Sequence, residues 1–516
     1  MLDDAHDSNP EKRTASAGEV ARRAKPAEAS RVGSVLSAPW PIVPLGEICD
    51  VDGGSPAPQG EHYFSSGTVP FVRMRDLGRF KCTTCLDSTD DKVTEAAVKE
   101  KRLKIFEPGC ILFPRSGSVA LNHRGILGIR AGVVSHIGVL RNFRAIVTRD
   151  WLFWFLVTYD MGQIAKQTTN LDLVNFSDVR RILVPIAPLP IQRRIVAEIE
   201  KLFTRLEAGV AALKRVQVSL KRYRAAVLKA ACEGKLVPTE AELAKKAEGK
   251  RKKEERSRES GPPSVLPLPS SFESAAQLLT RILAERCAKW TGRGSYKEPV
   301  APDTANLPHL PEGWMWTTLD TLAEVKGGIT KDQKRKHTSP ARSVPYLRVA
   351  NVQRGYIDLT EVKEIEATED EIQELALKPG DVLFNEGGDR DKLGRGWVWN
   401  GEIPECIHQN HVFRARLFDP SLHPKFVSWY ANTFGQKFFF EEGKHTTNLA
   451  SIGMSKLKGL PVPIPPPAEQ QRIVAEVERR LSVIEELGAV VSANLQRATR
   501  LRQAVLQQAF TGHRIP

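Results

Sequence analysis

Two loops in this chain carry residue types that can read nucleic-acid bases. Pro114-Arg-Ser-Gly-Ser118 follows an apolar run, and so does Asn385-Glu-Gly-Gly-Asp389, which continues to Arg390, Lys392 and Arg395. Arg115, Ser116, Ser118 and Glu386 offer donors and acceptors to base edges, and the cations neutralise phosphates. Glycine lets a backbone approach a ligand closely. The same loops also read as plain strand turns. Arg73 and Arg75, and Arg348 with Asn351, end or follow further apolar runs. Arginine can hold guanine bidentately and asparagine can hold adenine, but Arg73 and Arg348 occupy matching places and equally suit a framework ion pair. A third group occurs nearly unchanged twice, as Lys166, Thr168, Thr169 and Asn170 and as Lys444, Thr446, Thr447 and Asn448. A shared polar stretch is a poor code for two different sequences. Phosphate contact is its first reading, and helix capping by Thr or Asn is the rival.

Chemistry beyond binding finds little support. The sequence has no GxxxxGK[ST] phosphate loop, no GxGxxG before a helix, and no Asn/Asp-Pro-Pro-aromatic tetrapeptide of the kind amino-methyltransferases place around a target base. Asp381 and Glu386 loosely resemble a nuclease metal pair, but no lysine follows two residues on, and the first copy has Cys110 and Arg115 there. Cys82 and Cys85 form one CxxC without a matching ligand pair, and His408 with His411 precedes a strand-like run. No catalytic residue, metal ligand or resident cofactor is therefore assigned.

The elements that must position these residues come from a repeat. Residues 184–203 read VPIAPLPIQRRIVAEIEKLF and residues 462–481 read VPIPPPAEQQRIVAEVERRL. Arg194-Ile-Val-Ala-Glu198 returns 278 positions later as Arg472-Ile-Val-Ala-Glu476, and Thr168-Thr-Asn-Leu171 returns at the same offset. Upstream, with gaps, Val69-Pro-Phe-Val-Arg73 matches Val344-Pro-Tyr-Leu-Arg348, and Pro108-Gly-Cys-Ile-Leu-Phe113 matches Pro379-Gly-Asp-Val-Leu-Phe384. The chain is two copies of one unit.

Each copy opens with short apolar runs bounded by Gly, Pro and Asn, which read as strands. Each ends in a long helix with a heptad seam: Ile195, Ile199, Leu202, Leu206, Val210, Leu213, Leu220, Tyr223 and Val227, then Ile473, Val477, Leu481, Ile484, Val491, Leu495, Leu501 and Val505. About 45 residues at about 1.5 Å each make a rod of roughly 65–70 Å. Two such seams are best buried on each other. The expected class is α+β: two tandem strand-rich domains, each followed by a long helix.

The boundaries expected are 1–38 as a disordered extension, 39–187 as the first domain, 188–238 as its helix, 239–310 as a charged and Pro-rich linker with a helix near 273–290, 311–465 as the second domain, and 466–512 as its helix. With 41% hydrophobic and 26% charged residues, the 516-residue chain is neither disordered nor coiled coil throughout. A net charge of +14 favours a polyanion partner. The polar N-terminus is unlike a secretory signal, and the longest apolar run, Trp151–Val157, is too short to cross a bilayer and suits a buried helix. The expected location is cytoplasmic, with no membrane partner.

This two-copy order resembles the DNA-specificity subunit of type I restriction–modification enzymes. The residues carrying the resemblance are Glu469-Gln-Gln-Arg-Ile-Val-Ala-Glu476 after a Pro-rich stretch, its partner Ile191-Gln-Arg-Arg-Ile-Val-Ala-Glu198, the helix ends Cys232-Glu-Gly234 and Phe510-Thr-Gly512, and the approach to Leu310-Pro-Glu-Gly-Trp314. The resemblance implies two target recognition domains, each reading half of a split duplex DNA sequence, and long helices paired as an antiparallel coiled coil that sets the spacing. It also implies docking of two methyltransferase subunits and of restriction/translocase subunits. S-adenosylmethionine, ATP and magnesium would then sit on those partners, with none in this chain. The rival readings are a self-sufficient DNA-modifying enzyme, methyltransferase or nuclease, and a coiled-coil DNA scaffold without sequence specificity.

Overall fold

The computed structural model describes residues 40–79, 85–117, 119–121, 123–167, 172–257, 273–290, 294–330, 340–388, 393–445 and 450–511. The extension 1–38, Cys82, the proline-rich loop 261–271 and Gly512 lie outside them. The chain divides into two compact units. One runs up to Lys214 and resumes at Ser492, and the other is Arg215–Val491.

In the first unit the strand Ile42–Pro44 pairs antiparallel with Leu183–Pro185, so the two ends of the globular part meet. Between them lie two sheets. In spatial order, one is Asp50–Gly53, Ile137–Arg141, Ile111–Pro114, Gly125–Leu127 and Cys85–Leu86; the other is Asp91–Val93, Val69–Val72, Ala131–Val133 and Ile105–Phe106. The apolar run at 151–157 forms the helix Arg149–Thr158, capped by Thr148, with Trp151 through Leu156 all buried. Two-sided burial is what an uninterrupted apolar run requires.

The second unit repeats this plan. Met315–Thr318 pairs with Pro461–Ile464. One sheet runs Ala323–Lys326, Val412–Leu417, Val382–Asn385 and Gly396–Val398, and another runs Lys363–Thr368, Ala341–Leu347 and Ile407–His408. Two matched glycines mark where the chain passes tightly between sheets. A Cβ on Gly54 would stand 2.2 Å from the Val133 carbonyl oxygen, and one on Gly328 would stand 1.9 Å from that of His408. A helix also spans Ala275–Ala288, closed by a Ser274–Gln277 capping box; it buries Leu278 and Ile282 in the core that holds Leu319 and Leu322.

The long helices are Leu189–Cys232 and Pro467–Phe510. Gly234, at φ 68°, ends the first; Lys235 N–H reaches the Ala230 carbonyl and Gly234 N–H reaches that of Ala231, a glycine-dependent stop. At both starts a glutamine locks the helix to its domain. Gln192, fully buried, accepts from Thr148 N–H and donates to the Ile146 and Ala187 carbonyls. Its match, Gln470, accepts from His423 N–H and donates to the Pro465 carbonyl. A buried amide with these partners costs little, whereas losing it strands several backbone groups.

The apolar seam differs from the heptad reading at one matched position. Tyr223 and Leu501 are about half exposed (48% and 50%), and the residues that follow them, Arg224 and Arg502, are the partly buried ones. Within the first unit Arg502 pairs with Glu207 at 3.6 Å and lies over the Phe203 ring at 4.7 Å. Within the second, the matched Arg224 pairs with the matched Glu485 at 3.2 Å. Heptads advance by three or four, and a step of four from Leu220 lands on Arg224, whose aliphatic stem can line a seam while its head finds a carboxylate. Among the described residues no helix is long and apolar enough to cross a membrane.

Candidate nucleic-acid interface

The strand Ile111–Pro114 delivers its loop onto a hairpin formed by Ala165–Gln167 and Asp172–Val174. Arg115 N–H donates to the His136 carbonyl at 2.8 Å, and Val174 N–H donates to the Arg115 carbonyl at 2.8 Å. Ser116 bridges to Leu173 in the hairpin, and its hydroxyl lies 2.6 Å from Nδ1 of His136. The Arg115 guanidinium lies over the Phe176 ring at 4.6 Å. Lys166 stands exposed on the same hairpin, opposite Leu173.

The second unit builds the same frame from other side chains. Glu386 N–H donates to the His411 carbonyl at 2.9 Å, and Ile452 N–H donates to the Glu386 carbonyl at 2.8 Å. Gly387 and Gly388 pair with Ser451 and Ala450, and this strand in turn pairs with Lys444–His445. Glu386 contacts Nδ1 of His411 at 2.5 Å. Arg395 donates to the Val349 carbonyl at 3.2 Å, which Asn385 also approaches. The structure thus gathers Arg115, Ser116 and Lys166 in one unit, and Glu386, Arg395 and the Lys444 strand in the other. Ser118, Thr168, Thr169, Asn170, Arg390, Lys392, Thr446, Thr447 and Asn448 lie outside the described residues.

Arg73, Arg75, Arg348 and Asn351 have other work in the fold. Arg73 and Arg75 both pair with Asp91, and Arg75 also with Asp90 at 3.4 Å. Arg75 keeps half its side chain in solvent (54%). Arg348 donates to the Glu361 carbonyl at 3.0 Å. Asn351 is buried; it accepts from Arg348 N–H and donates to the Asp358 and Glu361 carbonyls. The match to Asn351 is Asp76, equally buried, which accepts from Arg73 N–H at 2.8 Å. The pattern Arg-x-x-Asp/Asn, repeated at equivalent places, was the available signal for this turn lock, and sequence reasoning passed over Asp76.

The metal-like residues part company. Asp381, buried, takes Arg416 through both oxygens at 2.8 and 2.7 Å, while Glu386 turns to His411. His408 is buried with Nδ1 at 2.7 Å from the Val412 carbonyl, while His411 is exposed. Among the described residues no cluster of three metal-ligating side chains occurs.

Burial pushes the His408 imidazole down to about 4. The folded protein keeps it neutral, whereas the unfolded chain protonates near its ordinary value of about 6.5. Its contribution is therefore intact above about pH 6.5 and is lost progressively down to about pH 4, at up to about 1.4 kcal/mol per pH unit. Denaturant unfolding between pH 7.5 and 4.5 should show this loss. His408→Val, which installs the residue found at the matched Val133, should flatten it; an unchanged slope would place the titration elsewhere.

Against this geometry stand the comparisons with known proteins. The family described as type I restriction modification DNA specificity domain matches residues 38–214 and 311–485. The chain is 24% identical over 219 residues to a putative type I restriction enzyme MjaX specificity subunit of Methanocaldococcus jannaschii; that match covers 42% of this chain and spans about half (49%) of the relative. It is 21% identical to the type I restriction enzyme EcoKI specificity subunit of Escherichia coli, covering 92% of this chain and 89% of that one. The crystal structure of the HsdS subunit from Thermoanaerobacter tengcongensis superposes with a TM-score of 0.50 at 18% identity, over 92% of this chain and 97% of that chain. At that identity the likeness speaks for the fold.

Proposed function

Because the chain belongs to the family of type I restriction–modification DNA specificity proteins, we propose that it is the sequence-specific DNA-binding subunit of a type I restriction–modification complex. Its domains at 39–187 and 311–465 each read half of a bipartite duplex target. One observation carries this reading: the same backbone bonds lay an unlike loop, Arg115-Ser116 in one domain and Glu386-Gly387 in the other, on a matched hairpin. A common frame with different side chains is what two different half-sites require. Catalysis belongs to two methyltransferase subunits using S-adenosylmethionine and to restriction/translocase subunits using ATP and magnesium.

The helices at 188–238 and 466–512 pair as an antiparallel coiled coil. In support, Glu207–Arg502 and Arg224–Glu485 share one constant sum of residue numbers, as antiparallel register demands. Val483, Leu487 and Val490 stay exposed at steps of four and three, away from the buried Leu481, Ile484 and Val491. Such a stripe suits a docking methyltransferase subunit.

Methylome sequencing of the host with and without the gene tests the reading. Loss of one bipartite methylated motif supports it. Methyl transfer by the purified chain alone with S-adenosylmethionine would place the chemistry in this chain instead.

Lys166 and Lys444, at matched places in the two hairpins, are each assigned to a phosphate. Lys166→Ala or Lys444→Ala in the assembled complex should weaken binding similarly across duplex sequences and reduce the salt slope by about one unit each. Unchanged slopes in both variants would return these lysines to a structural role.

A further inference from the structure

The same histidine stands in the same place in both recognition domains. Sheet register makes the match: Val72 pairs with Val133 and Leu347 with His408, which puts His136 opposite His411 in the alignment. Each sits in the turn feeding a central strand, Ile137–Arg141 or Val412–Leu417, and each is exposed. In each, the carbonyl accepts from the loop backbone, and ring Nδ1 meets a loop side chain: Ser116 Oγ at 2.6 Å, Glu386 Oε2 at 2.5 Å.

The backbone bonds already fix the course of the loop, and any residue could supply the carbonyl. The imidazole does something else: it fixes the direction of one loop side chain. We infer that His136 and His411 are positioning residues for base reading, holding Glu386 in one domain, and the loop anchored by the buried Ser116 in the other, in the orientation through which each domain recognises its half-site. This rests on the proposal that these loops read DNA.

The two pairs present different patterns. A carboxylate only accepts, so the ring nitrogen facing Glu386 must carry the proton. The remaining lone pairs of the carboxylate are then acceptors, and they suit the exocyclic amine of cytosine or adenine in the major groove. Guanine and thymine present acceptors at the corresponding positions. The Ser116 hydroxyl can donate or accept, so its pair with His136 admits either polarity. One frame thereby yields two codes.

The test uses the assembled methyltransferase complex with full-length variants and a duplex library randomised across both half-sites, read by sequencing of the methylated fraction. H411A should raise acceptance of other bases about tenfold at one position of the second domain's half-site, with the other half-site unchanged. H136A should do the same in the opposite half. H411N, whose amide nitrogen lies close to where Nδ1 was, should keep the preference; a purely structural role would give no such rescue. H411A with the original preference at every position overturns the inference. E386A separates the two levels. If E386A relaxes a position and H411A relaxes none, the histidine inference fails while loop reading stands. If E386A and S116A both leave the half-sites intact, loop reading fails and the inference falls with it. Should H411A not assemble, H411Q is judged by the same criterion.

Discussion

Exchanging residues 39–187 for the corresponding domain of a relative is expected to replace one half of the methylated motif entirely and leave the other half unchanged. The first domain is suited to exchange because its two ends meet in one short antiparallel ladder, Ile42–Pro44 against Leu183–Pro185. Both junctions therefore fall at one edge. What the incoming domain must reproduce is the contact with the helices of its own unit. Trp151 lies 4.7 Å from Phe510, Trp154 lies 5.1 Å from Phe203, and Phe155 lies 5.7 Å from Phe510, ring centre to ring centre. Each such aromatic pair is worth about 0.5–1.5 kcal/mol beyond its buried area, so a donor with aromatic residues at those positions is preferred. Gln192 belongs to the helix, and its partners, the Thr148 N–H donor and the Ile146 and Ala187 carbonyl acceptors, are backbone groups, which a relative supplies whatever its side chains. Sequencing the methylated sites of cells carrying the exchange gives the answer. If both halves change together, the domains do not read independently.

Much of this architecture was legible because the chain repeats itself. The offset of 278 aligned the helix starts, the buried glutamines and the hairpin lysines without any structure. The run Trp151–Leu156 and the stop at Gly234 followed from simple burial and backbone rules. The seam was legible only to the nearest step. A choice between Tyr223 and Arg224 is invisible to periodicity, because both lie at allowed spacings and arginine is not scored as a core residue. The decisive partners, Glu485 and Glu207, are 261 and 295 residues away from the arginines they meet. The equivalence of His136 and His411 escaped for a different reason. Insertions between the anchors shift the local offset to 275, so matching them needs the strand pairing Val72–Val133 and Leu347–His408. Asp76 was passed over, and Asn351 was read as a base contact, because the fold asks only for a side-chain oxygen at that point, which either residue supplies.

Lengthening the long helices is expected to widen the gap between the half-sites while leaving the half-sites themselves intact. Four residues inserted after Ala211 add about 6 Å of helix. Stacked base pairs lie about 3.4 Å apart, so the spacer should grow by one or two base pairs. Four residues exceed a heptad half-period by only about half a residue, so the seam survives with a local stutter. On the antiparallel reading, however, an insertion in one helix alone shifts its register against the other. Arg224–Glu485 and Glu207–Arg502 lie on opposite sides of Ala211, and a lone insertion leaves only one of them aligned. A compensating insertion of four residues between Arg497 and Ala498, opposite in that register, restores both. The double insertion should therefore be the more active variant, with a motif whose spacer is longer by one or two base pairs and whose specified bases are the original ones. No recognition loop is touched, so altered bases would mean that the helices also shape the reading frames. An active double-insertion complex that kept the original spacer would show that helix length is not what measures the gap.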